Sequence, residues 1–223
     1  MDRMEVFREL EERVVRPAAV AMQKLRNDEP PGPVDAVFFF ARSFGDDDDA
    51  LFAIATHCIM RGRARHILIN GSEGERFGGT QPREAWAGKT AWIERFKGFG
   101  IEVVLTSRPA FHAKDEHEAF LDETVRRGWR SAVLLTQPIQ MLRFALGQLK
   151  SCVDRPYPMR LYAACPQRND WEESVHGSQG MAESPRWVHC ALDALRVAPY
   201  WYKGDIASPA ELVEYLKRRE EIS

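Results

Sequence analysis

The chain has 223 residues, enough for one large domain or two small ones. Its 31 basic and 33 acidic residues leave a formal net charge of −2, a balance that argues against a nucleic-acid or anionic-membrane binder carrying a basic stripe. No apolar run reaches the ~18–20 residues of a transmembrane helix and the charged N-terminus has no signal-peptide core, so the expected location is the cytoplasm, with no nucleic acid and no membrane as partner.

In chain order, residues 2–26 read as an amphipathic helix, with Phe7, Leu10, Val14, Ala18, Met22 and Leu25 three or four apart. Pro30-Pro31-Gly32-Pro33 stops it. Strand-like runs follow at Val34–Ala41, His66–Asn70, Ile101–Thr106, Ser131–Thr136 and Arg160–Ala164. Helix-like segments separate them at 48–62, 84–99, 114–128 and 138–150. Runs such as "AVFFFA" and "AVLLT" are apolar throughout, as in strands covered on both faces. The alternation predicts an α/β fold: a three-layer αβα, Rossmann-like, doubly wound sheet of about five mainly parallel strands. The expected division is an N-terminal helix at 1–30, the α/β domain at 31–165, and a C-terminal loop and helices at 166–223 packed on the same domain.

Residues 166–185 form a long polar stretch, and such loops are usually functional or mobile. Residues 185–197 read as helical. A further helix starts at Ser208, with Pro209 in its first turn and Glu211 completing a capping box. The four cysteines lie far apart with no CxxC, which predicts free thiols.

In an open parallel sheet the ligand site lies beyond the carboxyl ends of the strands. After the first strand, Arg42 and Ser43 are the ligand candidates. Asp46–Asp49 are read as complementing a helix dipole, with one of them as N-cap. After the second strand comes "ILINGSEGERFGGTQPREAW". Its glycines, at 71, 74, 78 and 79, fit neither GxGxxG nor GxxxxGK[ST], which excludes the two standard phosphate loops. Asn70 and Gly71 are expected to bring backbone close to a ligand, with a glycine flap beyond them, and Glu84, opening the next helix, is a candidate to accept a ligand's hydrogen bonds or to serve the helix dipole. After the third strand stand His112, Asp115, Glu116 and His117. At helical spacing His117 joins the stripe of Phe120, Leu121 and Thr124 and reads as a packing histidine. His112, Asp115 and Glu116 remain the catalytic candidates. There is no HExxH, and no metal is expected. After the fourth strand, Thr136, Gln137, Gln140 and Arg143 are ligand candidates. Arg143 opposes the helix dipole in the first turns of its helix, a local conflict that points to anion or carboxylate binding.

The order of these features resembles the YdcF-like family, with SanA and ElyC, over roughly residues 34–165. The matching stretches are "RGRARHILINGSEG", "PREAW", "FGIEVVLTS", "HAKDE" and "LLTQPIQMLR". The chain departs from the family pattern at Ala41-Arg42, at His112-Ala113, at Asp115-Glu116 and at Gln140, and it lacks the membrane anchor of envelope-associated members, as in a divergent cytosolic branch. The resemblance implies a Rossmann-like domain, with S-adenosylmethionine as a ligand of some members.

Three functions stay open at this point. The first is a small-molecule binding domain or enzyme acting on a nucleotide-like or S-adenosylmethionine-like ligand, with His112 as acid/base. The second is a metal-assisted hydrolase or lyase using His112 with Asp115 or Glu116. The third is a non-enzymatic interaction module built on the N-terminal helix and the 166–185 loop. Homo-oligomerisation is open in all three.

Overall fold

The computed structural model describes residues 3–26, 28–40, 46–73, 88–166, 172–175 and 184–222. Five strands form one parallel sheet: β1 (Val34–Phe39), β2 (Ala64–Ile69), β3 (Val103–Leu105), β4 (Ser131–Leu135) and β5 (Arg160–Ala164). Their order is β3-β2-β1-β4-β5. The fold is therefore the three-layer, Rossmann-like α/β architecture that the alternation predicts. Strand sides alternate as the pleat requires. Ala36, Phe38 and Phe40 face one core while Val37 and Phe39 face the other.

The core on one face of the sheet draws on Leu51, Phe52 and Ala55 of α3 (Asp46–Met60) and on Trp92 and Phe96 of α4 (Lys89–Lys97). Trp92 and Phe96 meet Phe39 edge-on at 4.9 and 5.4 Å. The opposite face is covered by α5 (Ala113–Arg127) and α6 (Met141–Asp154), together with helices from both ends of the chain. The N-terminal segment runs as α1 (Arg3–Leu10), a π-helical turn at Glu11–Val15, and α2 (Arg16–Leu25). Its stripe of Val14, Ala18, Ala21 and Leu25 is buried in that core, so this helix packs on the α/β domain.

The C-terminal part holds a short ribbon, β6 (Ser174–Val175) with β7 (Ser184–Pro185), then α7 (Arg186–Tyr202) and α8 (Pro209–Arg218). The capping box of α8 forms as its sequence predicts, with Ser208 Oγ accepting from Glu211 N at 3.1 Å and Glu211 accepting from Ser208 N at 2.6 Å. The outer edge of β5 is hydrogen-bonded by side chains from both chain ends. Leu161 N donates to Tyr215 Oη, Ala163 N to Asp28 at 3.0 Å, and Arg219 donates to Leu161 O at 2.8 Å. Arg219 also holds Asp28 through two contacts of 2.7 Å. That set closes a sheet edge that would otherwise present free backbone groups. Cys58, Cys152, Cys165 and Cys190 are free, and burial pushes the Cys152 thiol up to about 12. No helix among the described residues is long and apolar enough to cross a membrane.

His117 is buried between α5 and α6, where its Nδ1 meets Gln148 Oε1 at 3.2 Å and its ring lies against Phe40 and Phe144. The packing reading of this residue holds. Its ring rests on Gly147, where an added Cβ would lie 2.4 Å from Nε2. Gly147→Ala should therefore push α5 from α6 and lower the unfolding free energy in urea by about 1–3 kcal/mol, the usual range for overpacking. Gly32→Ala, at a position with nothing within 4 Å, is the control and should change it little. Equal stability of the two variants would refute this account of the α5–α6 contact.

Candidate functional site

The strand order reverses at β1. The chain passes from β1 to β2 and β3 on one side, then crosses to β4 and β5 on the other. The helix after β1, α3, covers one face of the sheet, and the helix after β4, α6, covers the opposite face. Segments leaving neighbouring strands in opposite directions open a crevice outside the ends of β1 and β4.

The segment beyond β4 is built to turn sharply. Thr136 N still bonds Ala164 O at 3.3 Å, so the strand geometry continues one residue past Leu135. Gln137 is extended, and Pro138 begins a 3-10 turn at Pro138–Gln140 where a missing N–H does no harm. Gln140 is the N-cap of α6, and its side chain makes no cap bond. Thr136 is 1% exposed and Gln140 3% exposed. Neither Thr136 Oγ1 nor Gln140 Oε1 has a hydrogen-bond partner among the described residues. Across the crevice, Gln137 Nε2 donates to Asp48 Oδ1 at 3.0 Å. Asp48, in the first turn of α3, is fully buried. The dipole reading of Asp46–Asp49 did not foresee this bridge, whose partner lies 89 residues away.

Helix α7 lies over the 138–140 turn, and its inward face is polar. Arg186, His189, Asp193 and Val197 are its buried residues, spaced three or four apart. A packed helix normally turns its apolar stripe inward. Here Trp187, Leu195 and Tyr202 are exposed instead. Arg143 Nε donates to Asp193 Oδ1 at 2.8 Å, with both side chains buried. Arg186 Nη2 donates to Glu173 at 2.7 Å, and Arg186 N to Glu173 O at 2.9 Å. Burial pushes the Asp193 carboxyl above its ordinary value; Arg143, then Arg196, pull it down, and burial dominates. Sequence reading placed a helix here but named none of these residues. Charged residues at 186, 189 and 193, in phase with one another, were the available signal.

The predicted site residues separate into groups. Thr136, Gln137, Gln140 and Arg143 come together at the switch point. Arg143, however, is engaged by Asp193 of the same chain, so its conflict with the helix dipole is answered internally and no ligand carboxylate is required to explain it. Asn70 and Gly71 serve a neighbouring loop. Asn70 Nδ2 donates to Ala110 O at 2.8 Å, and Asn70 Oδ1 accepts from Ala110 N at 3.0 Å and from Ser72 N at 3.1 Å. Gly71 N donates to Thr106 Oγ1 at 2.8 Å, and a Cβ at Gly71 would lie 2.8 Å from Thr106 O. The close backbone approach is real, but its object is the end of β3. Glu116 is buried with Oε1 3.4 Å from Asn70 Nδ2, Asp115 is half-buried, and His112 is exposed at the N-cap of α5. No group of three or more His, Cys, Asp or Glu among the described residues is placed to hold a metal ion. Arg42, Ser43, Glu84 and the glycine flap lie outside the described residues.

The Arg143–Asp193 pair makes a signed prediction. Asp193→Ala strands a buried guanidinium and should lower the unfolding free energy by about 3–5 kcal/mol. The folded Asp193 carboxyl sits above its ordinary value of 3.8, so folding takes up a proton there, and the associated stability is lost as pH rises from 3.8 through the raised value. Denaturant titrations should show wild type losing stability relative to Asp193→Asn across that window. A difference that grows in favour of wild type would reverse the sign and refute the burial argument.

A scan against protein-family models returns no match, and a search of curated proteins returns none.

Proposed function

We propose that the chain binds a small nucleotide-like or S-adenosylmethionine-like molecule in the crevice between the ends of β1 and β4. The reversal of strand order at that point carries this reading, because it places a crevice where open α/β sheets hold ligands. Polar side chains of three elements meet beside it: Asp48 of α3 bonds Gln137 of the β4–α6 connection, and Asp193 of α7 bonds Arg143. Buried polar groups at one end of an otherwise apolar core are what a few orienting contacts to a ligand require. The motif order shared with the YdcF-like family supports the same reading, with the chain as a divergent cytosolic branch. His112, exposed on the same sheet edge, is the acid/base that a reaction there would use.

Isothermal calorimetry with S-adenosylmethionine and with adenosine should give binding tighter than about 1 mM, or some −4 kcal/mol. Gln137→Ala removes the bridge to Asp48 and should weaken binding at least about tenfold, or ~1.4 kcal/mol. No heat with either compound, together with no co-purifying small molecule in native mass spectrometry, would end this reading.

A further inference from the structure

The proposed site carries information about the charge of the group it takes. Thr136 Oγ1 and Gln140 Oε1 are both sealed from solvent and have no hydrogen-bond partner among the described residues. They flank the N-terminal end of α6, a helix of 14 residues. A buried polar atom without a partner works against folding, and nearly all such atoms in native proteins are satisfied by chain, water or ligand. Two of them four positions apart, at the point where the strand order reverses, mark a place for a partner from outside the described residues.

The chemistry of the two atoms restricts that partner. An amide oxygen only accepts, so Gln140 Oε1 calls for an N–H or O–H donor. A threonine hydroxyl both donates and accepts. Ionised phosphate or carboxylate oxygens only accept and would meet Gln140 Oε1 as like against like. A helix N-terminus ordinarily draws anions. Beside α6 the described carboxylates are already paired with side chains of the chain itself. The Asp193 carboxylate holds Arg143 in the first turn at 2.8 Å, and Asp48 accepts from Gln137 at 3.0 Å. The second buried guanidinium, Arg186, is held by Glu173 at 2.7 Å.

Resting on the ligand reading above, we infer that the group seated against Thr136 and Gln140 is an uncharged hydrogen-bond donor, such as an exocyclic amine, an amide or a sugar hydroxyl. The site takes the nucleoside-like part of its ligand there. No phosphate binds at that end of α6.

Calorimetry with adenosine, S-adenosylmethionine, adenosine monophosphate and orthophosphate tests this on wild type, Thr136→Val and Gln140→Leu. Adenosine and S-adenosylmethionine should bind wild type, adenosine monophosphate should bind no tighter than adenosine, and orthophosphate should not displace adenosine. Each substitution should weaken adenosine at least tenfold while the ligand-free melting temperature stays level or rises, since an unsatisfied polar atom has been removed. Tenfold tighter binding of the monophosphate, displacement by orthophosphate, or unchanged adenosine affinity in both variants would overturn the inference. So would a lower melting temperature of the ligand-free variants, which would show both atoms held by buried water. Silence from all four probes would remove the nucleotide-like reading instead. The donor inference would then be decided by melting alone, supported by a level or raised temperature and overturned by a lowered one.

Discussion

The placement of β1 between β2 and β4 is the constraint on which the rest depends. A strand with partners on both edges and helices on both faces must be apolar throughout, and "AVFFF" is. The two ends of the β1–β4 pair then show different chemistry. At the amino end Asp35 Oδ2 accepts from Arg130 N at 2.8 Å and from Ser131 N and Oγ at 3.1 Å, so the polar groups there are used to pin two strands together. At the carboxyl end Thr136 and Gln140 are more deeply buried than Asp35, yet each keeps an atom without a partner among the described residues. Unequal satisfaction distinguishes the two polar clusters.

Helix α7 sharpens that distinction. Arg186, His189 and Asp193 are buried while Trp187, Leu195 and Tyr202 are exposed, which is unfavourable for a helix placed only to complete a core. The Arg143–Asp193 pair does not by itself justify the arrangement. Two charges taken out of water lose about as much hydration as their attraction returns, and apolar residues of similar size often do as well. What the pair supplies is geometry, because a carboxylate and a guanidinium at 2.8 Å fix where α7 sits along the first turn of α6. Helix α7 thus lies against the turn that leads into α6, held there by the Arg143–Asp193 pair.

The fold was legible in the sequence because its signals are local and redundant. Five apolar runs, a proline stop after residue 29 and a complete capping box at Ser208 each specify one element, and burial of both sheet faces follows from them. The site was only partly legible, for three physical reasons. Gly71 correctly signalled a close backbone approach, but a glycine says nothing about what approaches, and the neighbour is Thr106 O. Asn70 offers a donor and an acceptor, and both are taken up by Ala110, whose proximity comes from pairing β2 with β3. Arg143 showed a conflict with its helix dipole, but the partner that resolves it lies 50 residues away on a helix whose orientation no local pattern fixed. Asp48 and the inward face of α7 were missed for the same reason, since their partners are contributed by other elements.

The pairing of the described charges near the crevice has a consequence for selectivity. With Arg143 paired to Asp193 and Arg186 to Glu173, little unbalanced charge remains on the buried side chains described there to hold a ligand by long-range attraction. Binding must then come from matching individual hydrogen bonds in a dry setting. Such a site discriminates mainly by refusal. A ligand with the right donor satisfies Gln140, whereas an analogue of the same shape without it seals an acceptor away from water, and sites of that kind reject the analogue far more strongly than an apolar pocket rejects a missing methylene. A cationic crevice would accept many anions in proportion to their charge. On the proposed reading, the crevice between β1 and β4 would instead recognise one pattern of donors.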